Sequence, residues 1–189
     1  KIDETNMRTW LLLAWSEAAK AGISEAYTVE KGLVAAAEIS QAANDGSLTT
    51  SMMKKILNDN GIIFSHVPKL DAAPIDAYSV IVGEHPAIVV TYRYDDMDKL
   101  AFDVLHEIGH IVNHLTSGKS YIAVEHDYSA QSSEERQADE FANDMLIAPA
   151  TWKSIMSAGT KSLSPYAVVN TIAGEARRHG VSPTIAVAR

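Results

Sequence analysis

The feature that most constrains the fold is the run His106-Glu107-Ile108-Gly109-His110, an H-E-x-x-H pattern within a stretch of helical periodicity. On an α-helix, side chains four positions apart lie on the same face, so both imidazoles can reach one cation. Glu107 then lies where it can take a proton from a water molecule bound to that cation. The pattern is typical of zinc-dependent hydrolases, most often peptidases, and it requires a well-formed helix at this point of the chain.

The plain alternative is that both histidines are ordinary helix residues whose rings are satisfied by hydrogen bonds, since short motifs recur by chance. Two observations favour a metal site. The helix follows a β-branched run that predicts a strand, as in zinc peptidases with this motif. Gly109 also interrupts the helix at a cost of about 1 kcal/mol relative to alanine. We therefore expect another segment of backbone to approach the helix closely at Gly109.

The composition limits which metal ligands and partners are possible. The 189 residues are 47% hydrophobic and 21% charged, which suits one large domain or a compact domain with a helical extension. The net charge of −8 argues against direct binding of nucleic acid. The chain has no cysteine, so disulfides and thiolate zinc ligands are excluded, and a metal site must use His, Asp or Glu.

The sequence predicts a cytoplasmic protein without a membrane partner. No apolar run approaches the ~20 residues of a membrane span. The apolar stretch from Trp10 to Trp15 is short and follows Asp3 and Glu4 rather than a basic cluster, which favours an amphipathic helix over a cleaved signal. The chain begins at Lys1 and not at methionine, so we expect it to be a piece of a longer protein.

The periodicity of apolar residues predicts an α+β fold, with a small mixed sheet packed on the motif helix. Helices are expected over residues 5–21, 28–43, 47–60, 133–146, 149–158 and 165–179. Strands are expected over 62–67, 78–82, 87–92 and 121–124, with a loop over 68–77 and a hairpin turn over 83–86. The motif helix should begin at a cap on Asp95 or Asp96 and end near Leu115. This order predicts a helical extension over residues 1–61 and a metallopeptidase domain over 62–189, or one compact unit of both.

A catalytic zinc site uses three protein ligands and a water molecule, so the two histidines require a partner. The candidates are Glu135, Glu134, His126 and His114. Glu135 is favoured because Asp139 follows one turn later on the same face, where its carboxylate can hold an imidazole N–H and fix the tautomer of a ligand. Glu134 lies about 100° round the helix, and His114 lies too far along a straight helix from the first histidine of the motif.

Glu135 also fits a second role. Together with Ser132 it matches the S-x-x-E pattern of a capping box at a helix N-terminus. The ligand role is the stronger prediction because Asp139 has no comparable alternative function. The histidines at positions 66, 85 and 179 are expected to be surface or structural residues.

Two segments resemble the ImmA/IrrE family of metallopeptidases. They are F-D-V-L-H-E-I-G-H-I-V-N-H from Phe102 to His114, and E-E-R-Q-A-D-E-F-A-N-D-M-L-I-A-P from Glu134 to Pro149. The closing stretch from Ile172 to Arg189 is similar to a tail that some members carry. The resemblance covers residues 62–189, and the residues before it match no known motif.

The resemblance implies a zinc endopeptidase of mobile elements or stress regulation, with a zincin-like fold related to thermolysin. By that resemblance Glu135 is the third zinc ligand beside His106 and His110, and Glu107 is the catalytic base. The substrate would be a specific regulatory protein, such as a phage or mobile-element transcriptional repressor. Members often begin with a repressor-like helix-turn-helix domain, which would precede Lys1.

One departure from the family concerns the substrate side of the motif helix. Members commonly have a basic residue where this chain has Ala101, although Lys99 is nearby. Hydrolysis also benefits from a side chain that donates a hydrogen bond to the oxyanion of the transition state. The candidates for this donor are Tyr78, Tyr92, His126 and Tyr128. If the strand over residues 87–92 is a sheet edge, an extended substrate could add to it through main-chain hydrogen bonds.

Two other functions fit parts of the sequence. One is a non-cleaving, zinc-bearing regulatory or antitoxin-like module that binds a repressor or a toxin through residues 1–60. Glu107 favours an enzyme over this module, because a structural zinc ion needs no general base. The other is an esterase or deaminase with similar metal chemistry, which a helix-borne H-E-x-x-H disfavours.

Overall fold

A four-stranded sheet separates the helix that carries the motif from the first helix of the chain. The computed structural model describes residues 2–91, 96–115, 119–124, 132–159 and 164–189. The fold is α+β, as predicted. The elements in chain order are α1 (Glu4–Ala19), α2 (Val29–Asn44), α3 (Thr50–Asp59), β1 (Ile63–His66), β2 (Ile75–Val82), β3 (His85–Val90), α4 (Met97–Asn113), β4 (Ser120–Val124), α5 (Ser133–Leu146), α6 (Pro149–Gly159), α7 (Pro165–Arg178) and α8 (Pro183–Ala188).

Side-chain caps set where several helices begin. Asp96, one of the two caps predicted for α4, accepts hydrogen bonds from the amides of Asp98 and Lys99. Thr28 and Thr49 cap α2 and α3 in the same way, through their hydroxyl oxygens. Each cap satisfies amides that a helix leaves free in its first turn, which explains why these helices begin where they do.

The sheet has the strand order β1-β3-β2-β4. β1 pairs with β3 in parallel, whereas β2 pairs antiparallel with both β3 and β4. Substrate pairing along residues 87–92 was conditional on that strand being a sheet edge, and this condition is not met because β3 has a strand on each side. Its run of buried residues from Ala87 to Val90 is typical of an internal strand covered on both faces.

Two predicted boundaries near the hairpin are also wrong. β2 begins at Ile75, so the loop predicted over residues 68–77 ends earlier. Asp76 is unfavourable in a strand, but its carboxylate lies 3.4 Å from Lys99 Nζ, and this ion pair accommodates it. The predicted turn over 83–86 is shorter, since Gly83 adopts a φ of 64° and β3 already begins at His85.

The two faces of the sheet bury two separate apolar clusters. Because successive strand residues point to opposite faces, Phe64 and Ile88 face the cluster that contains α4, whereas Ile63 and Val89 face the cluster that contains Trp10 of α1. The motif helix therefore lies on one face of the sheet and α1 on the other.

The α4 side of the core includes residues from before and after position 61. Ala36 and Ile39 of α2 belong to the same buried cluster as Leu105 and Ile108 of α4. The Ser40 hydroxyl also donates a hydrogen bond of 2.6 Å to the carbonyl of Met145 on α5. The division into a 1–61 extension and a 62–189 domain stays a prediction, and the described core crosses it.

The last ten residues contain α8, a short helix that was not among those predicted from the sequence. Pro183 occupies the first turn of α8, where its missing amide hydrogen is not needed. Across the described ranges, no helix has both the length and the apolarity that crossing a bilayer requires.

Candidate metal centre

Gly109 lets α5 pack directly against the motif helix. A Cβ atom added at Gly109 would lie 3.1 Å from Ala138 Cα and 3.2 Å from Phe141 Cβ, closer than such contacts normally are. The predicted close approach of another backbone at Gly109 is thus confirmed, and α5 is the segment that approaches. This packing brings the first turns of α5 over the histidine face of α4.

Three side chains from α4 and α5 converge at this contact. His106 Nε2 lies 3.0 Å from His110 Nε2 and 3.2 Å from Glu135 Oε2. His110 Nε2 lies 3.3 Å from Glu135 Oε1. One ligand atom from each residue lies within 4.8 Å of the other two. This group of two imidazoles and a carboxylate could hold a metal ion.

Asp139 orients the first of these imidazoles. Its Oδ1 atom lies 2.8 Å from His106 Nδ1, on α5 one turn after Glu135. The hydrogen on Nδ1 is thereby directed to a carboxylate, and Nε2 of the same ring faces His110 and Glu135. A carboxylate behind a ligating imidazole is a common arrangement in metal sites, because it fixes both tautomer and ring orientation.

The electrostatics of the group are those of a protonated histidine paired with carboxylates. Burial disfavours charge on His106, but hydrogen bonds to Asp139 and Glu135 outweigh it and raise the pKa of His106 to about 10. Hydrogen bonds with His106 and His110 lower the pKa of Glu135 to about 2. Burial lowers the pKa of His110, so this ring is neutral. The site thus stabilises one positive charge beside its carboxylates. A metal cation can supply this charge in place of the proton on His106.

Glu107 is a buried carboxyl group on the sheet side of α4. Neither of its carboxylate oxygens has a hydrogen-bond partner among the described residues. Burial raises the pKa of Glu107 to about 7, and the charge on His106 acts in the opposite direction. An unsatisfied buried carboxyl group destabilises a fold, so its presence beside three potential ligands is typical of a functional site.

Tyr121 of β4 covers the second histidine, a contact that sequence reasoning did not predict. Its ring stacks on the His110 ring with centroids 4.0 Å apart and an interplanar angle of 11°. Tyr121 pairs in register with Ser79, so both point toward α4. The run from Tyr121 to Val124 predicted a strand, but no local pattern shows which helix the strand faces.

The contact with Tyr121 also separates Glu134 from the candidate ligands. The Tyr121 hydroxyl donates a hydrogen bond of 3.0 Å to Glu134 Oε2, and Lys119 Nζ lies 3.4 Å from Glu134 Oε1. The structure therefore does not bring Glu134 into the group with the two histidines.

Ser132 does cap α5 by accepting a hydrogen bond from the Glu135 amide, while the Glu135 carboxylate lies against the histidines.

The remaining residues named from the sequence have other surroundings. His114 Nδ1 lies 3.3 Å from His110 Nδ1, behind the ring rather than beside Glu135. Tyr78 packs edge-on against Trp10, with centroids 6.4 Å apart, in the cluster on the opposite face of the sheet. Three named residues lie outside the described ranges: Tyr92, His126 and Tyr128.

Lys99 lies two residues before Ala101. It forms ion pairs on its own helix and with the sheet. Its Nζ atom lies 2.8 Å from Asp103 Oδ2 and 3.4 Å from Asp76 Oδ2. Lys99 therefore connects the start of α4 to β2.

No protein-family model matches the chain, and a search of curated proteins finds no match. The geometry of the centre and the H-E-x-x-H motif are therefore the evidence for function.

Proposed function

We propose that the chain is a zinc-dependent endopeptidase with a zincin-like fold. The observation that carries this proposal is the position of Glu107, buried and without a hydrogen-bond partner among the described residues, next to the group of His106, His110 and Glu135. Two imidazoles and one carboxylate are the ligand set of catalytic zinc sites that keep a fourth position open. A purely structural zinc site is normally closed by four protein ligands and needs no buried acid beside it.

The residues of the chain divide the chemistry of hydrolysis among them. His106, His110 and Glu135 would hold zinc, which when bound supplies a Lewis acid and lowers the pKa of a coordinated water molecule towards ~7. Glu107 accepts the proton of the attacking water molecule and delivers it to the departing amide nitrogen. A base with a pKa of about 7 suits both transfers near neutral pH. Asp139 holds His106 in place throughout.

We infer that an extended substrate pairs with β4 rather than with β3. In the described sheet β4 has a neighbouring strand on one side only, β2. Main-chain hydrogen bonds to such an edge bind a peptide with little dependence on sequence. Because Tyr121 of β4 contacts His110, a peptide along this edge would pass beside the candidate metal centre.

The zincin-like assignment and the substrate class are supported by the motif and its surroundings. A strand precedes α4, the sheet packs on the face of α4 that carries Glu107, and the following helix supplies the third candidate ligand. The resemblance to ImmA/IrrE metallopeptidases suggests one specific regulatory protein as substrate, such as a transcriptional repressor encoded nearby. We therefore propose selective cleavage and not general digestion.

The proposal is tested by comparing zinc-loaded protein with the Glu107→Gln variant. Both are incubated with a proteome-derived peptide library and with candidate transcriptional repressors, and new N-termini are identified by mass spectrometry. We expect cleavage by the wild type and a rate at least about 100-fold lower for the variant, because its amide cannot accept the proton. Glu134→Gln is the matched control and should cleave normally. Equal cleavage by Glu107→Gln would refute the role of Glu107.

A non-cleaving regulatory module is the second candidate. It is favoured by apolar side chains exposed on α1, where Leu12 is 72% and Trp15 is 52% exposed. Such a surface could bind a repressor or a toxin. Binding of such a partner without cleavage, by zinc-loaded protein, would favour this alternative.

A further inference from the structure

We propose that His114 and Gln137 form a hydrogen-bonded relay that sets the tautomer of His110, which makes His114 a positioning residue for metal binding. The inference rests on the metal centre of the proposed function and is independent of whether the protein cleaves peptides. The relay runs from the end of α4 to the exposed face of α5, behind the ring of the second motif histidine.

The position of each hydrogen in the relay follows from the Gln137 amide at its end. His114 Nε2 lies 2.8 Å from Gln137 Oε1, and an amide oxygen only accepts, so His114 Nε2 carries the hydrogen. In the neutral His114 ring, Nδ1 then holds a lone pair. This atom lies 3.3 Å from His110 Nδ1, which donates to it.

The consequence for His110 is a lone pair on the side of the candidate metal centre. A neutral imidazole carries one hydrogen, so a hydrogen on Nδ1 leaves Nε2 unprotonated. Nε2 is the atom of His110 that lies 3.0 Å from His106 Nε2 and 3.3 Å from Glu135 Oε1. The relay thus leaves His110 Nε2 unprotonated, as a metal ion requires of a histidine ligand.

The two candidate histidine ligands are held by different chemistry. His106 is backed by the Asp139 carboxylate, whereas His110 is backed by the His114 imidazole and, through it, the Gln137 amide. Glu135 and Glu107 already supply carboxyl groups to the same buried region. The relay therefore fixes the tautomer of His110 without adding a third carboxylate to this region.

Packing around the relay supports a fixed geometry. His114 is the C-terminal cap of α4, and its amide donates a hydrogen bond of 2.8 Å to the carbonyl of His110. The Tyr121 ring lies against both imidazoles, with centroids 4.0 Å from His110 and 6.0 Å from His114. These contacts hold the two imidazoles against the sheet.

The decisive variant is Gln137→Lys, at an exposed position where folding is not at risk. A lysine side chain offers only donors, so His114 must accept at Nε2 and present Nδ1–H to His110. We expect His110 to change to the Nε2–H tautomer and zinc affinity to fall by about tenfold, in the lower part of the 10–100-fold range for outer-shell changes. Gln137→Glu keeps an accepting oxygen and should stay within about threefold of wild type.

The controls separate the relay from charge and from the proposed function. Glu140→Gln changes the charge of α5 by the same one unit as Gln137→Lys without touching the relay, and it should leave affinity and tautomer unchanged. Tautomers are measured at pH 8 in metal-free, 15N-histidine-labelled protein by long-range 1H–15N spectra. Zinc affinity is measured by competition with a chromogenic chelator.

Two results would overturn the relay. One is an Nε2–H tautomer of His110 in the metal-free wild type. The other is Gln137→Lys binding zinc as tightly as Glu140→Gln. If instead the wild type binds no zinc, the proposed function fails, while the tautomer measurement still tests the relay.

Discussion

Asp139 Oδ1 lies 2.8 Å from His106 Nδ1, so the carboxylate and the candidate metal centre lie on opposite edges of one imidazole ring. The ring therefore connects the second turn of α5 to the ligand group. Because Asp139 lies one turn after Glu135, a single helix would supply both a metal ligand and the group that orients another. Zinc affinity should depend on both residues, to different degrees.

Replacing Asp139 should weaken zinc binding without removing a ligand. For Asp139→Ala we expect a loss of about 10–100-fold in affinity, because His106 loses the acceptor that orients it. Asp139→Asn retains an accepting oxygen and should lose less. Competition with a chelator measures both values, and circular dichroism checks that the helices persist. An unchanged affinity in Asp139→Ala would contradict this role.

Alanine variants of two neighbouring glutamates test which of them is the third metal ligand. Glu135→Ala should leave the purified protein largely free of zinc, since its carboxylate lies against both histidines. Glu134→Ala should retain full zinc content, because that side chain contacts Tyr121 and Lys119 instead. Elemental analysis after dialysis against zinc gives the stoichiometry. Zinc loss in Glu134→Ala together with retention in Glu135→Ala would exclude Glu135 as the ligand.

Gly109→Ala should destabilise the protein although alanine favours helices. The added methyl group would lie 3.1 Å from Ala138 Cα, and the two helices must separate to admit it. We expect a loss of about 1–3 kcal/mol in the free energy of unfolding, the usual range for overpacking.

Gly174→Ala on α7 is the matched control. A Cβ atom at Gly174 meets nothing within 4 Å, so the substitution should stabilise by up to about 1 kcal/mol through helix propensity alone. Urea denaturation of both variants gives the comparison. Equal stabilisation of the two would show that α4 and α5 are not in close contact at Gly109.

The metal-free protein should lose stability as the pH rises from 7.5 to 9.5. The pKa of His106 is raised to about 10 in the folded state, from an ordinary value of 6.5. In this window the folded protein holds a proton that the unfolded chain has released, so the free energy of unfolding falls by about 1.4 kcal/mol per pH unit. Its contribution is fully present below pH 6.5 and is lost as the pH passes about 10.

Other shifted groups titrate outside this window. The pKa of Glu107 is about 7 and that of Tyr27 is about 12. Chemical denaturation in EDTA at several pH values measures the slope, and His106→Gln should flatten it. A slope that is the same in the wild type and in His106→Gln would show that His106 does not hold the proton.

The sequence was most informative where local periodicity determines geometry. Helical spacing was sufficient to put His106 and His110 on one face of α4, and Asp139 one turn beyond Glu135 on α5. The cost of Gly109 within a helix was sufficient to predict close packing there. Each of these inferences needs only the residues within two turns of one helix.

Contacts between distant segments could not be predicted in the same way. Tyr121 faces His110 because β4 pairs with β2, and nothing near Tyr121 in the sequence specifies that pairing. The interior position of β3 is a different case, because the sequence carries a local signal for it. The continuous apolar run from Ala87 to Val90 is typical of a strand covered on both faces.

The position of α1 on the far face of the sheet has a practical consequence. Trp10 and the strand residues around it form a cluster separate from the one beneath α4, so substitutions on the outer surface of α1 do not touch the histidine centre. A fluorophore, an affinity handle or a tether can be attached at the exposed Leu12 without contacting the histidine centre. The same separation would let recognition and chemistry evolve independently, each on its own side of one sheet.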